Sequence, residues 1–203
     1  MALFLTDPDL EERLREERKM TGADRWDEIW DGVYVIVPLP DNDHQELVYQ
    51  LAVVFHEVVK QAGHGQVFPG INVSDRVEDW EKNVRVPDGA VFLKSGGATS
   101  HDTHWTGGAD FLVEIVTLGD RSREKLDFYG KLGVRELLLV DRYPWAIELY
   151  RGTGEVMHLV GRLEPDADDA LKSEVLPLSF QLVGGDPRPR IEVRHNDGRS
   201  WSA

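Results

Sequence analysis

An acidic residue lies in the middle of an apolar segment, and this feature constrains the fold more than any other in the sequence. Glu114 follows Phe111-Leu112-Val113 and precedes Ile115-Val116. A nearly continuous apolar run of this length predicts a strand that is buried on both faces of a sheet. A buried carboxylate is unfavourable unless it has a hydrogen-bonded partner or a metal ion. Glu114 therefore indicates either a functional site or a structural ion pair with Lys125 or an arginine.

The segment before this strand supplies a second acid. Residues 83–93 predict another strand, and Asp88 closes its first apolar run, Val84-Arg85-Val86-Pro87. Asp88 at a strand end and Glu114 within the neighbouring strand would together hold a divalent metal ion, because Mg²⁺ prefers carboxylate oxygens. The alternative is that Asp88 only ends a strand in a turn.

The segment after Glu114 supplies a cation. Residues 121–132 predict a helix on which Lys125 and Tyr129 are four residues apart and share a face. Asp120 is placed to cap this helix and is a less favoured candidate for a metal ligand. Residues 134–141 predict another buried strand, so strand, helix and strand form a right-handed βαβ unit.

The rest of the pattern predicts a mixed α/β sheet with a long helix on one side and the crossover helix on the other. In the first part of the chain we expect a charged helix over residues 7–20 capped by Asp7, a hairpin turning at Asp31-Gly32, and a helix that starts with a capping-box-like Asp43 and ends near Gly63. A kinked strand over residues 66–73 follows. In the last part we expect a hairpin of residues 145–151 and 155–160, and short final strands near residues 176–183 and 190–194.

The second-rank site candidates are Glu28, His44, Asp120 and Tyr129. Glu28 shares a strand face with Trp30, and it is either a third member of the acidic site or an exposed strand residue. His44 either packs at the start of the long helix or leans into a site at its N-terminus, where anions are favoured. The cluster His101-Asp102-Thr103-His104 predicts a mobile polar loop near the site, because no third zinc ligand is evident.

Composition limits the classes of function. A chain of 203 residues suits one domain, and the absence of cysteine excludes thiolate metal sites and a cysteine nucleophile. The longest apolar runs are about six residues, far below the ~20 of a membrane span, and no signal peptide is evident. We therefore expect a cytoplasmic protein. The net charge of −14 counts against broad nucleic-acid binding through a basic surface.

Several of these residues occur together in a known family. The shared positions are Pro87-Asp88, Glu114, Asp120, Lys125, Tyr129, Gly133-Val134 and Val140-Asp141. In this order and spacing the chain resembles the Uma-type restriction endonucleases of the PD-(D/E)XK nuclease superfamily. The resemblance extends from about Trp26-Asp27-Glu28-Ile29, through His44, to Leu176-Pro177-Leu178.

The resemblance implies a restriction-endonuclease-like core, a central mixed β-sheet flanked by helices. We expect an N-terminal helical extension over residues 1–22, the domain over residues 23–195 and a tail over residues 196–203. The superfamily's usual lysine, two residues after the acid, is Val116 here, and the resemblance implies that Lys125 replaces it. A second departure is the short loop Thr117-Leu118-Gly119, where members often have a Ser-Pro-Ser-type segment.

The resulting expectation is an endonuclease that hydrolyses DNA phosphodiester bonds with Mg²⁺ or Mn²⁺. Asp88 and Glu114 would hold the metal ion, Lys125 would complete the catalytic set, and a homodimer would bring two sites to a duplex. One alternative is a weak or inactive nuclease-fold protein that binds nucleic acid or a protein, which the charge and Val116 favour. Another is a metal-dependent hydrolase of a small phosphate substrate.

Overall fold

The computed structural model describes residues 2–119 and 121–203. The helices are α1 (Pro8–Thr21), α2 (Asn42–Phe55) and α3 (Leu126–Leu132), with a π-helical segment at His56–Gln61 and 3₁₀ turns at Trp80–Lys82 and Ser122–Lys125. The strands are β1 (Leu3–Leu5), β2 (Glu28–Trp30), β3 (Val33–Ile36), β4 (Gly65–Pro69), β5 (Val73–Ser74), β6 (Val84–Arg85), β7 (Gly89–Leu93), β8 (Thr99–Ser100), β9 (Trp105–Thr106), β10 (Phe111–Val116), β11 (Glu136–Arg142), β12 (Trp145–Thr153), β13 (Val156–Leu163), β14 (Leu171–Lys172), β15 (Leu178–Val183), β16 (Arg190–His195) and β17 (Ser200–Ser202).

A mixed sheet in the order β13-β12-β11-β10-β7-β4 forms the centre of the molecule. Strands β10 and β11 are parallel and are joined through α3, whereas the other neighbours in this sheet are antiparallel. The predicted βαβ unit and the predicted mixed α/β fold are therefore confirmed. In the described residues, two further sheets pack around this one, in the orders β1-β3-β2-β6-β5-β9-β8 and β14-β15-β16-β17.

Strand β10 is buried along its whole length, because a core cluster packs on each of its two faces. Phe111, Val113 and Ile115 point into the core cluster that contains the apolar stripe of α2. Leu112 and Val116 point the other way, into the cluster that contains Phe128 and Tyr129 of the α3 segment. Side chains alternate along a strand, so Glu114 lies on the α3 side.

Several local predictions are confirmed by hydrogen bonds and backbone angles. Asp7 caps α1 by accepting from the backbone N–H groups of Asp9 and Leu10. The β2–β3 hairpin turns at Asp31 and Gly32, whose positive φ values of 49° and 87° suit the tight turns that fit twisted strands. None of the described helices is both long and apolar enough to cross a membrane.

Other local predictions are wrong, mostly where a segment changes sheets. Residues 83–93 form two strands, β6 and β7, because Pro87 interrupts the pairing and the chain passes from one sheet to another. Residues 66–73 are divided between β4 and β5 in the same way. The cap of α2 is Asp41, which accepts from the N–H of His44 at 2.9 Å, and not Asp43.

The ends of the chain carry strands that the sequence pattern did not predict. Strand β1 pairs with β3, within the predicted helical extension, and β17 pairs with β16, within the predicted tail. The hairpin of β12 and β13 turns at Gly154-Glu155 rather than at residues 152–154. The domain boundaries at residues 22 and 195 stay a prediction.

A buried carboxylate on β12 ties the start of the crossover helix to the sheet. Glu148 is 5% exposed and accepts hydrogen bonds from Arg123, Arg162 and Tyr150 at 2.6–2.8 Å. Burial alone would raise the pKa of Glu148, but the hydrogen bonds from Arg123, Tyr150 and Arg162 hold that pKa below its ordinary value. The ionised form is therefore the one that the folded protein favours.

This lowered pKa predicts a pH-dependent effect of Glu148→Gln. A depressed pKa stabilises the fold above the unfolded pKa of about 4.3, and this contribution is lost as the pH falls through the folded pKa. At pH 7 the substitution should lower the free energy of unfolding by about 1.5–3 kcal/mol, the range for hydrogen bonds to a charged group. Urea unfolding at pH 7 and pH 3.5 should show the difference shrinking in acid.

The matched control is Glu164→Gln, which removes an exposed carboxylate 3.9 Å from Arg162. Its effect should stay below about 1 kcal/mol at both pH values. An effect of Glu148→Gln that is the same at pH 7 and pH 3.5 would contradict this account.

Candidate active site

Asp88 and Glu114 meet where the central sheet begins. In the antiparallel β7–β10 pair, Gly89 is opposite Val113, so Asp88, directly before β7, lies beside Glu114. Asp88 Oδ2 accepts a hydrogen bond of 2.7 Å from the backbone N–H of Ile115. Asp88 is thus fixed by the neighbouring strand. The sequence pattern predicted that Asp88 would close a strand, whereas in the structure it lies directly before β7.

Lys125 reaches the same place from the 3₁₀ turn before α3. Its Nζ lies 3.1 and 3.3 Å from the two carboxylate oxygens of Glu114, and 2.9 Å from Oε1 of Glu28. Lys125 is 9% exposed, so these contacts are shielded from bulk water. The three residues singled out in the sequence therefore converge.

Tyr129 lies one helical turn beyond Lys125 and faces the same carboxylate. Its hydroxyl donates to Glu114 Oε1 at 2.5 Å, and the ring is fully buried. Burial and the negative charge of Glu114 raise the pKa of Tyr129 well above its ordinary value. Tyr129 therefore stays protonated and remains a donor to Glu114 at physiological pH.

Glu28 is a buried member of this cluster. It is 1% exposed, accepts from the indole N–H of Trp30 at 2.6 Å, and accepts from the backbone N–H of Val86 at 2.8 Å. The alternative of an exposed strand residue is wrong, because β2 lies between β3 and β6 with Lys125 against this face. Glu28 fixes one side of the Lys125 ammonium group.

His44 leans into the site from the first turn of α2. Its Nε2 lies 3.2 Å from Asp88 Oδ1, and the residue is 6% exposed. Its Nδ1 is buried without a hydrogen-bond partner among the described residues. The Asp41 cap fixes the start of α2, and His44 combines burial with a direct contact to Asp88; its role in the site stays a prediction.

Sequence reasoning missed Arg85, a buried cation behind Glu28. Its guanidinium lies between the rings of Trp30 and Phe128, 4.8 and 4.2 Å from the ring centroids. Burial lowers the pKa of Arg85, and the negative charge of Glu28 opposes that shift. The sequence feature that could have identified Arg85 is its place between two valines in a strand-like segment, where a charged side chain is unusual.

The electrostatics of the site are dominated by crowded negative charge. Burial raises the pKa of Glu114; Lys125 opposes this rise, while Asp88 and Glu28 add to it. Glu28 and Glu114 thus share the Lys125 ammonium group, and the negative charges of Asp88 and Glu28 both disfavour ionisation of Glu114. A further positive charge beside Asp88 and Glu114 would relieve this repulsion.

The site lies in a cavity of about 490 Å³. Its lining includes the buried residues Glu28, His44, Glu114 and Lys125 and the half-buried Asp88. Its outer lining is mostly apolar and aromatic and includes Trp26, Pro38, Leu39, Leu118 and Tyr143, together with the exposed polar residues Asp41, Gln45 and Arg121. A ligand that enters past this outer lining would meet the carboxylates and the lysine.

Comparison with known proteins identifies the family. A sequence model of the Uma2 family, described as a putative restriction endonuclease, matches residues 12–183. The chain belongs to the Uma2 family. The predicted resemblance is therefore confirmed, and the family match includes every residue of the site described above.

A solved structure shows the same fold. The crystal structure of "a putative nuclease belonging to DUF820" from Anabaena variabilis ATCC 29413 is 19% identical, with a TM-score of 0.56. The similarity covers 72% of this chain and 80% of that one. No functionally curated protein matches the chain.

The donor set of this Uma2-family site fits a hard divalent cation. Carboxylate oxygens are the ligands that Mg²⁺ and Mn²⁺ prefer, and Asp88 and Glu114 lie at neighbouring positions of the β7–β10 pair and line one cavity. The described residues contain no group of three or more His, Asp or Glu side chains arranged to hold a metal ion. Two carboxylates nevertheless suit Mg²⁺, which keeps several waters and substrate phosphate oxygens in its coordination shell.

The sequence analysis also made predictions for Asp120 and for the His101–His104 segment. Asp120, the predicted helix cap, lies outside the described residues. The His101–His104 segment lies between the paired strands β8 and β9, and His104 is 4% exposed in a stack between the rings of Trp80 and His101. The predicted polar loop is therefore present, but the expectation of mobility is wrong for His104, which packs in the interior.

The shielded ion pairs predict that Lys125→Met destabilises the metal-free protein. The substitution leaves Glu28 and Glu114 buried without their shared cation, which should lower the free energy of unfolding by about 3–5 kcal/mol. Urea unfolding in EDTA measures the loss. Lys131→Met is the control, because Lys131 pairs with Asp127 on the exposed surface, where an ion pair contributes little to stability. Equal losses for the two variants would contradict the account.

Proposed function

We propose that this protein is a metal-dependent endonuclease that hydrolyses phosphodiester bonds in DNA. The observation that carries the proposal is the convergence of Asp88, Glu114 and Lys125 in one cavity. Two carboxylates, one cation and room for a substrate are the groups that this reaction requires. Membership of the Uma2 family supports the same reaction class.

Asp88 and Glu114 are the residues that would hold Mg²⁺ or Mn²⁺. Such an ion supplies positive charge that favours ionisation of water and offsets negative charge on the phosphate. Asp88 is oriented by the N–H of Ile115 and by His44. Glu114 is oriented by Tyr129 and Lys125. These contacts keep the two carboxylates in place before a cation or a substrate arrives.

Lys125 would orient the attacking water or stabilise the developing negative charge. The position that usually carries the superfamily's lysine is Val116, which packs with Phe128 in the core on the α3 side of the sheet. Lys125 approaches Glu114 from that same side, so its ammonium group can replace the missing one. Glu28 and His44 are positioning residues in this proposal, since each holds a member of the trio.

Quaternary structure and location are finer parts of the proposal. A homodimer is our expectation for cleavage of both strands of a duplex, because that takes two sites and oligomers are commonly two-fold. A cytoplasmic location stays a prediction.

The proposal predicts that Asp88→Asn and Glu114→Gln each abolish most cleavage. Each variant keeps the shape and hydrogen-bonding oxygen of the original side chain but removes its charge. We expect kcat/KM for a labelled DNA oligonucleotide in Mg²⁺ or Mn²⁺ to fall at least about 100-fold, equivalent to roughly 2.7 kcal/mol of transition-state stabilisation. Asp43→Asn, at the exposed start of α2, is the control and should cleave normally.

Three results would overturn the proposed function. Full activity in both variants would show that the cleavage arises elsewhere. Absence of cleavage by the unsubstituted protein with either metal, on DNA of any strandedness, would favour a nuclease-fold binding protein. A preference for mononucleotides over DNA would select the small-phosphate hydrolase.

A further inference from the structure

The outer lining of the cavity differs in chemistry from a surface that docks duplex DNA. Leu39, Leu118 and Tyr143 line the cavity and are 83%, 74% and 52% exposed. Duplex-binding surfaces rely on Lys and Arg contacts to phosphates. Here the approach to the carboxylates passes mostly apolar and aromatic side chains, with Asp41, Gln45 and Arg121 among them.

The cations of this lining are already engaged. Lys125 is paired with Glu28 and Glu114. Arg121 is paired with Glu124, and its guanidinium lies 3.9 Å from the ring centroid of Phe4. With a net charge of −14 on the whole chain, phosphate attraction is a weak source of affinity at this entrance.

Two aromatic rings, those of Trp26 and Tyr143, line the entrance. The six-membered ring of Trp26 lies against Gly70, where an added β-carbon would fall 2.2 Å from the ring. The backbone N–H of Tyr143 donates to Asp141 Oδ1 at 2.9 Å, and the Arg142 guanidinium lies 5.5 Å from the Tyr143 ring centroid. Both rings line the cavity beside its carboxylates. Rings of this kind stack on nucleobases without sequence preference.

The depth of the carboxylates in the cavity favours single-stranded DNA over duplex DNA as the substrate. The Glu114 side chain is 3% exposed and that of Asp88 is 23% exposed, so a scissile phosphate must enter the cavity to reach them. A cavity of about 490 Å³ is in the size range that encloses a small ligand of roughly nucleotide size. A base within a duplex is stacked and paired, and extracting it costs a few kcal/mol that an unpaired base does not require.

We propose that the substrate of this site is single-stranded DNA, with an unpaired base held among Trp26, Leu39, Leu118 and Tyr143 while its phosphate faces Asp88 and Glu114. This inference rests on the proposed function and specifies its substrate class. A single strand needs one site for each cut, so the inference does not require a dimer.

Binding measurements test the inference separately from cleavage. Fluorescence anisotropy in the Asp88→Asn background, with Mg²⁺ present, compares labelled single-stranded and duplex DNA of one sequence. The single strand should bind at least about tenfold more tightly. Its affinity should fall only shallowly with salt, corresponding to about one or two phosphate contacts rather than the 6–10 of duplex-binding proteins.

Substitutions at Tyr143 test the role of the ring. In the same background, Tyr143→Leu should weaken single-strand binding by about 5- to 150-fold, the loss expected when a stacking ring is removed. Tyr143→Phe keeps the ring and should bind within about twofold of the parent. Tyr49→Leu, which removes a 69% exposed ring on α2 that does not line the cavity, is the matched control and should bind unchanged.

The outcomes distinguish this inference from the proposed function. Tighter binding of duplex DNA, single-stranded RNA or a mononucleotide overturns the inference even if DNA is cleaved, as does unchanged single-strand binding by Tyr143→Leu. Ring-dependent preference for single-stranded DNA supports the inference even if the unsubstituted protein cleaves nothing, in which case only the catalytic proposal fails.

Discussion

The contact between Lys125 and Glu114 is the interaction on which the site depends. Glu114 lies within a strand that has a core cluster packed on each of its two faces, where its negative charge is unfavourable without compensation. Lys125 supplies part of that compensation and is itself buried between Glu114 and Glu28. Replacement of either partner leaves a charge in the interior, so the chemistry of the cavity and the stability of the fold are coupled.

The two sheets that meet at Pro87-Asp88 explain why the acids converge. Residues 84–85 belong to the sheet of β2, which carries Glu28, and residues 89–93 belong to the central sheet, which carries Glu114. Asp88 lies at the passage between them, and His44 approaches it from the start of α2. Each carboxylate therefore comes from a different strand or junction, and the β10–α3–β11 unit adds the lysine and Tyr129.

The sequence was informative wherever a local pattern determines the structure. Alternation along β10 correctly placed Glu114 with Leu112 and Val116, and spacing along the helix placed Lys125 and Tyr129 on one face. It was uninformative where one segment joins two sheets, as at residues 83–93, because both parts have strand-like side chains. The burial of Glu28 and Arg85 depends on long-range packing between β2, β6 and α3, which no local pattern encodes.

A structural ion pair and a metal site would require different residues around Glu114. As a structural pair, Glu114 and Lys125 would have no need of Asp88, whose charge adds to the repulsion on Glu114. In a metal site, a bound cation would offset the electrostatic repulsion between the two carboxylates. The placement of Asp88 and Glu114 at neighbouring positions of the β7–β10 pair is the feature that favours the second account.

The most direct test of the central claim is a calorimetric titration of Mn²⁺ into the protein without DNA. The account predicts binding by the unsubstituted protein, at least about tenfold weaker binding by Glu114→Gln and by Asp88→Asn, and unchanged binding by Glu124→Gln, which alters a carboxylate on the exposed turn before α3. No binding by the unsubstituted protein, or equal binding by all four proteins, would contradict it.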